Sequence, residues 1–174
     1  MSRVSFIILF LALVAGGCSS GSKKKAINLP AGEKATVGPL VYSLIDSEVL
    51  TQLGEDPSNL RTPQDRFYLM TISVSNSSSE GLPIPGLTLV DDSGKEYNEL
   101  ADGANVPNWL GVIRRAGGAQ TEQGNIIFDA PAQHYRLRVT DETDEKQISL
   151  DVPLNYLHEQ LKSPPPEAAP QPNK

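Results

Sequence analysis

Nucleophilic catalysis needs a histidine or comparable base placed beside a serine or cysteine, and this chain offers few such groups. It has two histidines, His134 and His158, and one cysteine, Cys18. A single thiol forms no intrachain disulfide and no CxxC pair, which removes dithiol redox chemistry and thiolate zinc sites. His134 falls on the polar parity of an expected strand, and His158 lies near the C-terminal tail, outside the expected sheet. Neither is expected to serve a serine-based triad. No cofactor and no metal is expected, and the chain reads as not an enzyme.

The carboxylates lead to the same place. Asp91-Asp92 could contribute to a Ca²⁺ site, but such a site needs several oxygen ligands, and no loop repeats acids at alternate positions. Asp91-Asp-Ser-Gly94 reads instead as a hairpin turn, and residues 141–145 (Asp-Glu-Thr-Asp-Glu) as a solvated hairpin tip rather than a metal site. Asn76-Ser77-Ser78 matches the eukaryotic glycosylation acceptor. The one segment with residues suited to recognition is 101–115, which holds Val106-Pro-Asn-Trp-Leu110 and Val112-Ile-Arg-Arg115. Interfaces are anchored preferentially by Trp and Arg. Trp109, Arg114 and Arg115 are therefore the candidate partner-binding residues, with the arginines steering an acidic partner. The plainer reading, which is favoured, has Trp109 and Leu110 plugging one end of the domain.

Those residues must be positioned by strands. The stretch Arg66-Phe-Tyr-Leu-Met-Thr-Ile-Ser-Val-Ser-Asn76 alternates: Tyr68, Met70, Ile72 and Val74 share one parity, while Phe67 and Leu69 give way to Thr71, Ser73 and Ser75 on the other. Strand side chains alternate faces, so one face is buried along the whole length and the other becomes wet. The same periodicity predicts strands over 35–37, 40–49, 87–90, 95–98, 124–130, 134–139 and 146–152, with Pro83 and Pro85 capping an edge. Short strands at spacings of roughly ten residues, without an amphipathic helix, predict an all-β antiparallel sandwich over residues 27–154. A chain of 174 residues is long enough for one such domain. Charged residues at 21% argue against wholesale disorder, and a net charge of −6 against nucleic-acid binding. Residues 155–174 hold a short helical turn and a Pro-rich tail that lacks the large apolar groups a fold needs.

The N-terminus has a basic start, an apolar run over residues 4–14 and the small residues Ala15-Gly16-Gly17 before Cys18. The run is too short for the roughly 20 residues of a membrane span. It makes a secretory leader, and the cysteine behind it resembles a bacterial lipoprotein signal. That resemblance implies a cut after Gly17, a signal peptide over 1–17, a lipid on Cys18 and a tether over 18–26. Ala15 departs from the commoner Leu; a plain leader with an incidental cysteine is the alternative. Two or three acyl chains hold a membrane durably where one does not. Lys23-Lys24-Lys25 could attract anionic lipid, although a solvated spacer is the favoured reading. Beside such a leader the glycosylation match carries little weight. Ser19, rather than Asp, resembles the outer-membrane sorting pattern of a host with two membranes.

Residues 27–152 resemble a family of extracytoplasmic domains of unknown function, common in bacterial lipoproteins and similar to the mycobacterial secreted immunoprotective antigens. The resemblance rests on the 66–76 stretch, Leu89-Val-Asp-Asp-Ser-Gly-Lys-Glu-Tyr97, Gly124-Asn-Ile-Ile-Phe-Asp-Ala-Pro131 and Tyr135-Arg-Leu-Arg-Val139. Gly117-Gly118 departs from the family's usual Pro-Gly. It implies an immunoglobulin-like, telokin-like fold and an extracytoplasmic setting, and supplies no catalytic residues. Two functions follow as expectations: a lipid-anchored envelope protein with a non-catalytic interaction domain and an envelope protein partner, or a passive scaffolding lipoprotein.

Overall fold

The structure, a computed structural model, describes residues 27–54 and 56–153. The expected leader, tether and tail lie outside the described residues, and with them Cys18, Lys23-Lys24-Lys25 and His158. The elements are β1 (Ile27–Leu29), β2 (Lys34–Val37), β3 (Leu40–Leu50), β4 (Arg66–Asn76), β5 (Leu82–Ile84), β6 (Thr88–Asp91), β7 (Glu96–Asn98), β8 (Arg114–Ala116), β9 (Thr121–Ala130), β10 (Tyr135–Thr140) and β11 (Gln147–Asp151). One 3₁₀ turn, Pro57–Asn59, interrupts the long polar loop before β4. Among the described residues no helix is long and apolar enough to cross a membrane.

A five-stranded sheet in the order β1-β11-β10-β6-β7 packs against a four-stranded sheet in the order β2-β3-β4-β9, and β5 and β8 form a small third sheet. The expected β-sandwich is the fold. Its pairings are antiparallel except β1 with β11, which run parallel. β1 lies in one sheet, and the chain crosses directly from it, through the turn at Gly32 (φ 85°), to β2, which pairs with β3 in the other.

The core follows the alternation. Tyr68, Met70, Ile72 and Val74 of β4 are at most 1% exposed, facing Tyr135, Leu137 and Val139 of β10 and Leu150 of β11 across the sandwich. Leu40, Tyr42 and Leu44 share the inner face until a bulge between Leu44 and Asp46 throws Ile45 outward and resets the parity of β3. Tyr135 stacks edge-on against Tyr68 (ring centroids 5.0 Å apart) and Tyr97 (5.5 Å). Tyr42 donates its hydroxyl to Thr140 O at 2.8 Å, and burial pushes that hydroxyl far above its ordinary pKa.

Both acidic clusters are turns built on one plan. Asp91 Oδ1 accepts from Ser93 N, Ser93 Oγ and Lys95 N, with Gly94 at φ 88°. Asp141 Oδ1 accepts from Thr143 Oγ1 and Glu145 N, with Asp144 at φ 58°. An aspartate that binds the backbone ahead of it fixes a tight hairpin. Asn76 does a similar task at the end of β4. It is 2% exposed, its amide donates to Glu80 O (2.6 Å) and Gly117 O (3.1 Å), and its oxygen accepts from Ser78 N (2.9 Å). The residue that matches a glycosylation acceptor is thus a buried turn-former.

Candidate functional site

The outer face of the four-stranded sheet is where the sequence departs from a simple two-layer pattern. Phe67 and Leu69 of β4, Ile127 of β9 and Leu50 of β3 all point outward, away from the main core. Left bare they would form an apolar patch in water. Residues 99–116 fold over them as a flap. Leu53, Phe67, Val106 and Ile127 make a second small core, with Leu50, Leu69, Leu100 and Trp109 packed around it.

The flap also closes the free edge of β9. Leu100 N donates to Ile127 O (2.8 Å), Leu110 N to Asn125 O (3.0 Å), and Asn125 N to Asn108 O (2.9 Å). The Asn125 side chain adds a bond from Nδ2 to Pro107 O at 2.7 Å. An unpaired edge strand is a template for unwanted pairing, so these bonds do structural work. Two glycines make the close fit possible: a Cβ at Gly103 would fall on the Trp109 ring, and one at Gly124 would strike Asn108 O and Leu110.

The base of the flap is stapled by charge. Arg114 and Glu99 lie side by side with side chains 4% and 5% exposed. Arg114 Nη1 donates to Glu99 Oε2 (2.7 Å) and Gly111 O (2.9 Å), and Nη2 to Glu99 Oε1 (2.6 Å) and Pro85 O (2.9 Å). Glu99 Oε1 also accepts from Leu87 N. A forked guanidinium matched to a carboxylate and two carbonyls is the arrangement that lets a buried pair persist.

This geometry corrects two expectations. Arg114 is not a surface cation available to steer a partner, because the carboxylate fifteen residues earlier claims it. Trp109 does not plug an end of the sandwich: it lies half-buried on the outer face of the four-stranded sheet, where β4 carries the apolar Phe67 and Leu69. Of the three candidate residues, Arg115 alone presents its charge at the surface, with Nη2 donating to Gly81 O at 2.6 Å. Val112 and Ile113 are exposed although no alternation in the local sequence marks them as surface residues. They form the tip of the flap, 44% and 96% exposed. The signal in the sequence is two β-branched apolar residues set between Gly111 and Arg114, outside any alternating run.

His134 stands apart, on the outer face of the five-stranded sheet. Its Nε2 meets Asp151 Oδ1 at 2.7 Å and its Nδ1 meets Asp92 Oδ1 at 3.2 Å, with Arg136 Nη2 3.6 Å from the same Asp92 oxygen. The bond to Asp151, helped by the one to Asp92, raises the imidazole pKa above its ordinary value. Both ring nitrogens are engaged by carboxylates, a clasp between β10, β11 and the β6–β7 turn.

No family model matches the chain, and no curated protein does. Solved structures do. The YjhA protein of Bacillus subtilis superimposes with a TM-score of 0.55 at 12% identity, over 71% of this chain and 98% of that one. The secreted protein MPT63 of Mycobacterium tuberculosis gives 0.52 at 15%, over 73% of this chain and 96% of that one. A candidate lipoprotein of Bacillus subtilis, YcdA, gives 0.50 at 12%, over 68% of this chain and 38% of that one. At these identities the likeness is one of fold, and the fold shared is the β-sandwich.

Proposed function

We propose that this chain is a lipid-anchored cell-envelope protein whose β-sandwich is non-catalytic and binds an envelope protein partner through the tip of the flap. The lipid sits on Cys18, and the 18–26 tether holds the domain on the extracytoplasmic face, at the outer membrane in a host with two membranes. The shared fold of a secreted protein and a candidate lipoprotein fits that setting.

The observation that carries the binding role is Ile113, 96% exposed beside Val112. An isoleucine in that position adds nothing to folding, whereas covering it would gain about 25 cal/mol per Å² of apolar surface. The tip is held in place by the Glu99–Arg114 staple, so little ordering cost remains at association. Arg115 supplies an exposed positive charge next to it on a chain of net charge −6.

A photo-crosslinking residue at position 113 of the full-length chain, expressed in its own cells, tests this. One discrete adduct is expected, absent when the probe is moved to Ser73 on the sheet face and reduced by Val112→Ser. No adduct from membrane-associated protein would leave the passive scaffolding role and overturn the binding one. Fatty-acid labelling tests the anchor: label on the wild type and none on Cys18→Ala is the expected result, and label on both would reject Cys18.

A further inference from the structure

β3 carries the longest unpaired edge among the described residues. β2 pairs with it only from Leu40 to Ser43, while β4 follows it to Leu50. Beyond the bulge at Ile45, residues 46–50 keep regular register with β4, and alternate N–H and C=O groups point away from it. Among the described residues no strand pairs with those groups, and the Ser47 N–H is held by Asp46 Oδ1 at 2.8 Å, a bond that an added strand would replace. Other edges are treated differently: β9 is covered by the flap, and β1 and β7 are three residues long.

A groove of about 410 Å³ at Ile27 and Val37 lies elsewhere; a larger one, about 630 Å³, opens at the end of this β3 edge. Leu50, Leu53, Leu69, Val106 and Pro107 line it, and Asp56 stands at its rim. Along the edge Asp46 is exposed and Glu48 half-exposed, both on the outer face with Leu50, while Ser47 and Val49 face inward. No lysine or arginine lines the groove. Arg61, which pairs in the loop nearby, is engaged by Asp102 and lies over the Phe67 ring.

We infer that this corner is a strand-addition site for an extended partner segment that alternates basic and apolar residues. Its backbone would bond to residues 46–50, its basic side chains would lie beside Asp46 and Glu48, and an apolar side chain on the same row would enter the groove beyond Leu50. The alternate row, beside Ser47 and Val49, would be apolar. Main-chain bonds supply affinity in this mode, and side-chain alternation supplies selectivity. The site is separate from the flap tip, so each can fail without the other. The described chain ends at Pro153, whose carbonyl accepts from Ser47 Oγ at 2.7 Å, so the chain's own continuation is the competing occupant.

The probe is a synthetic peptide of alternating lysine and valine closed by leucine, added to the full chain while amide exchange is followed. Slowed exchange at residues 46–50 is expected with this peptide, and neither with its glutamate–valine counterpart nor with one interrupted by proline. Asp46→Lys with Glu48→Lys should weaken the lysine peptide about tenfold at low salt and admit the glutamate one, in protein that still melts cooperatively. Equal binding of the proline-interrupted peptide, or no protection at saturating lysine peptide, would overturn the site. Slow exchange in the free full chain at the other outward amides of 46–50, beyond the Ser47 N–H that Asp46 already holds, would mean that its own continuation holds the edge, and would overturn it too.

Discussion

At Glu99 and Arg114 two opposite charges, each about as buried as a core side chain, stabilise one another only as a pair. Removing either leaves the other desolvated and unmatched, a loss of roughly 3–5 kcal/mol, whereas replacing both by apolar groups of similar volume is close to neutral. Arg114→Met and Glu99→Leu should each lower stability strongly in urea unfolding, and the double variant should recover most of it. Additive losses would mean that the two are not coupled. His134 works in the opposite regime, near solvent. Its pKa is raised in the folded state by Asp151 and Asp92, so protonation is favoured by folding. The stabilisation is fully present below the unfolded value of about 6.5 and is lost as pH rises through the folded one. At an exposed site it is worth less than about 1 kcal/mol. The difference in melting temperature between wild type and His134→Gln should be widest near pH 5.5 and shrink by pH 8. Asp91 and Asp141, whose carboxyls are held low by their turns, act with the reverse sign: their contribution is present at neutral pH and fades as pH falls below about 4.

Among the elements, β4 uses both faces, as β9 does with Ile126 and Phe128 inward and Ile127 outward. Ile72 is 1% exposed in the main core, while its neighbour Ser73 points outward and is half-exposed. Ile72→Asp buries an unpaired carboxylate, a cost of several kcal/mol against a domain stability of roughly 5–15 kcal/mol. Ser73→Asp puts the same group in water. Thermal melts should show the first variant unfolded or nearly so and the second unchanged. The flap also has two roles, covering the outer face and the β9 edge together. Trp109→Ala removes a half-buried side chain packed on the second small core and should cost about 2–3 kcal/mol, less than the roughly 3–5 kcal/mol of a fully buried aromatic deletion. Gly103→Ala should cost a comparable amount, because its new methyl has no room beside the Trp109 ring.

At the scale of the molecule, the flap connects to both sheets. Leu100 binds β9, the Glu99–Arg114 pair reaches Pro85 and Leu87 before β6, and Ala116 O accepts from Asn76 at the end of β4. Trp109 is the only tryptophan, so its fluorescence reports the flap while far-ultraviolet circular dichroism reports the sheets. In the wild type both signals should melt together, as a single cooperative unit requires. In Arg114→Met the fluorescence transition should come first, with the flap opening as a separate local unit. Coincident melts in that variant would show that apolar packing alone holds the flap.

The sequence by itself determined the sandwich and most of its strands, because period-two burial is local. The parity of Tyr68, Met70, Ile72 and Val74, the inward Tyr135, Leu137 and Val139, and the aspartate turns at Asp91 and Asp141 all depend on residues within a few positions of one another. Strands without alternation were not legible: β1, β5 and β8 are three residues each, and they exist only because a distant partner lies beside them. The candidate site shows the same division. Residues 101–115 stood out by composition, with Trp and Arg on an acidic chain. Which of them faces water was decided by contacts far apart in sequence: Glu99 buries Arg114, the flap packs Trp109 onto the outer face of β4 and β9, and what is left exposed is Ile113. Composition can nominate a charged or aromatic residue, but its availability depends on the partner that the fold brings to it.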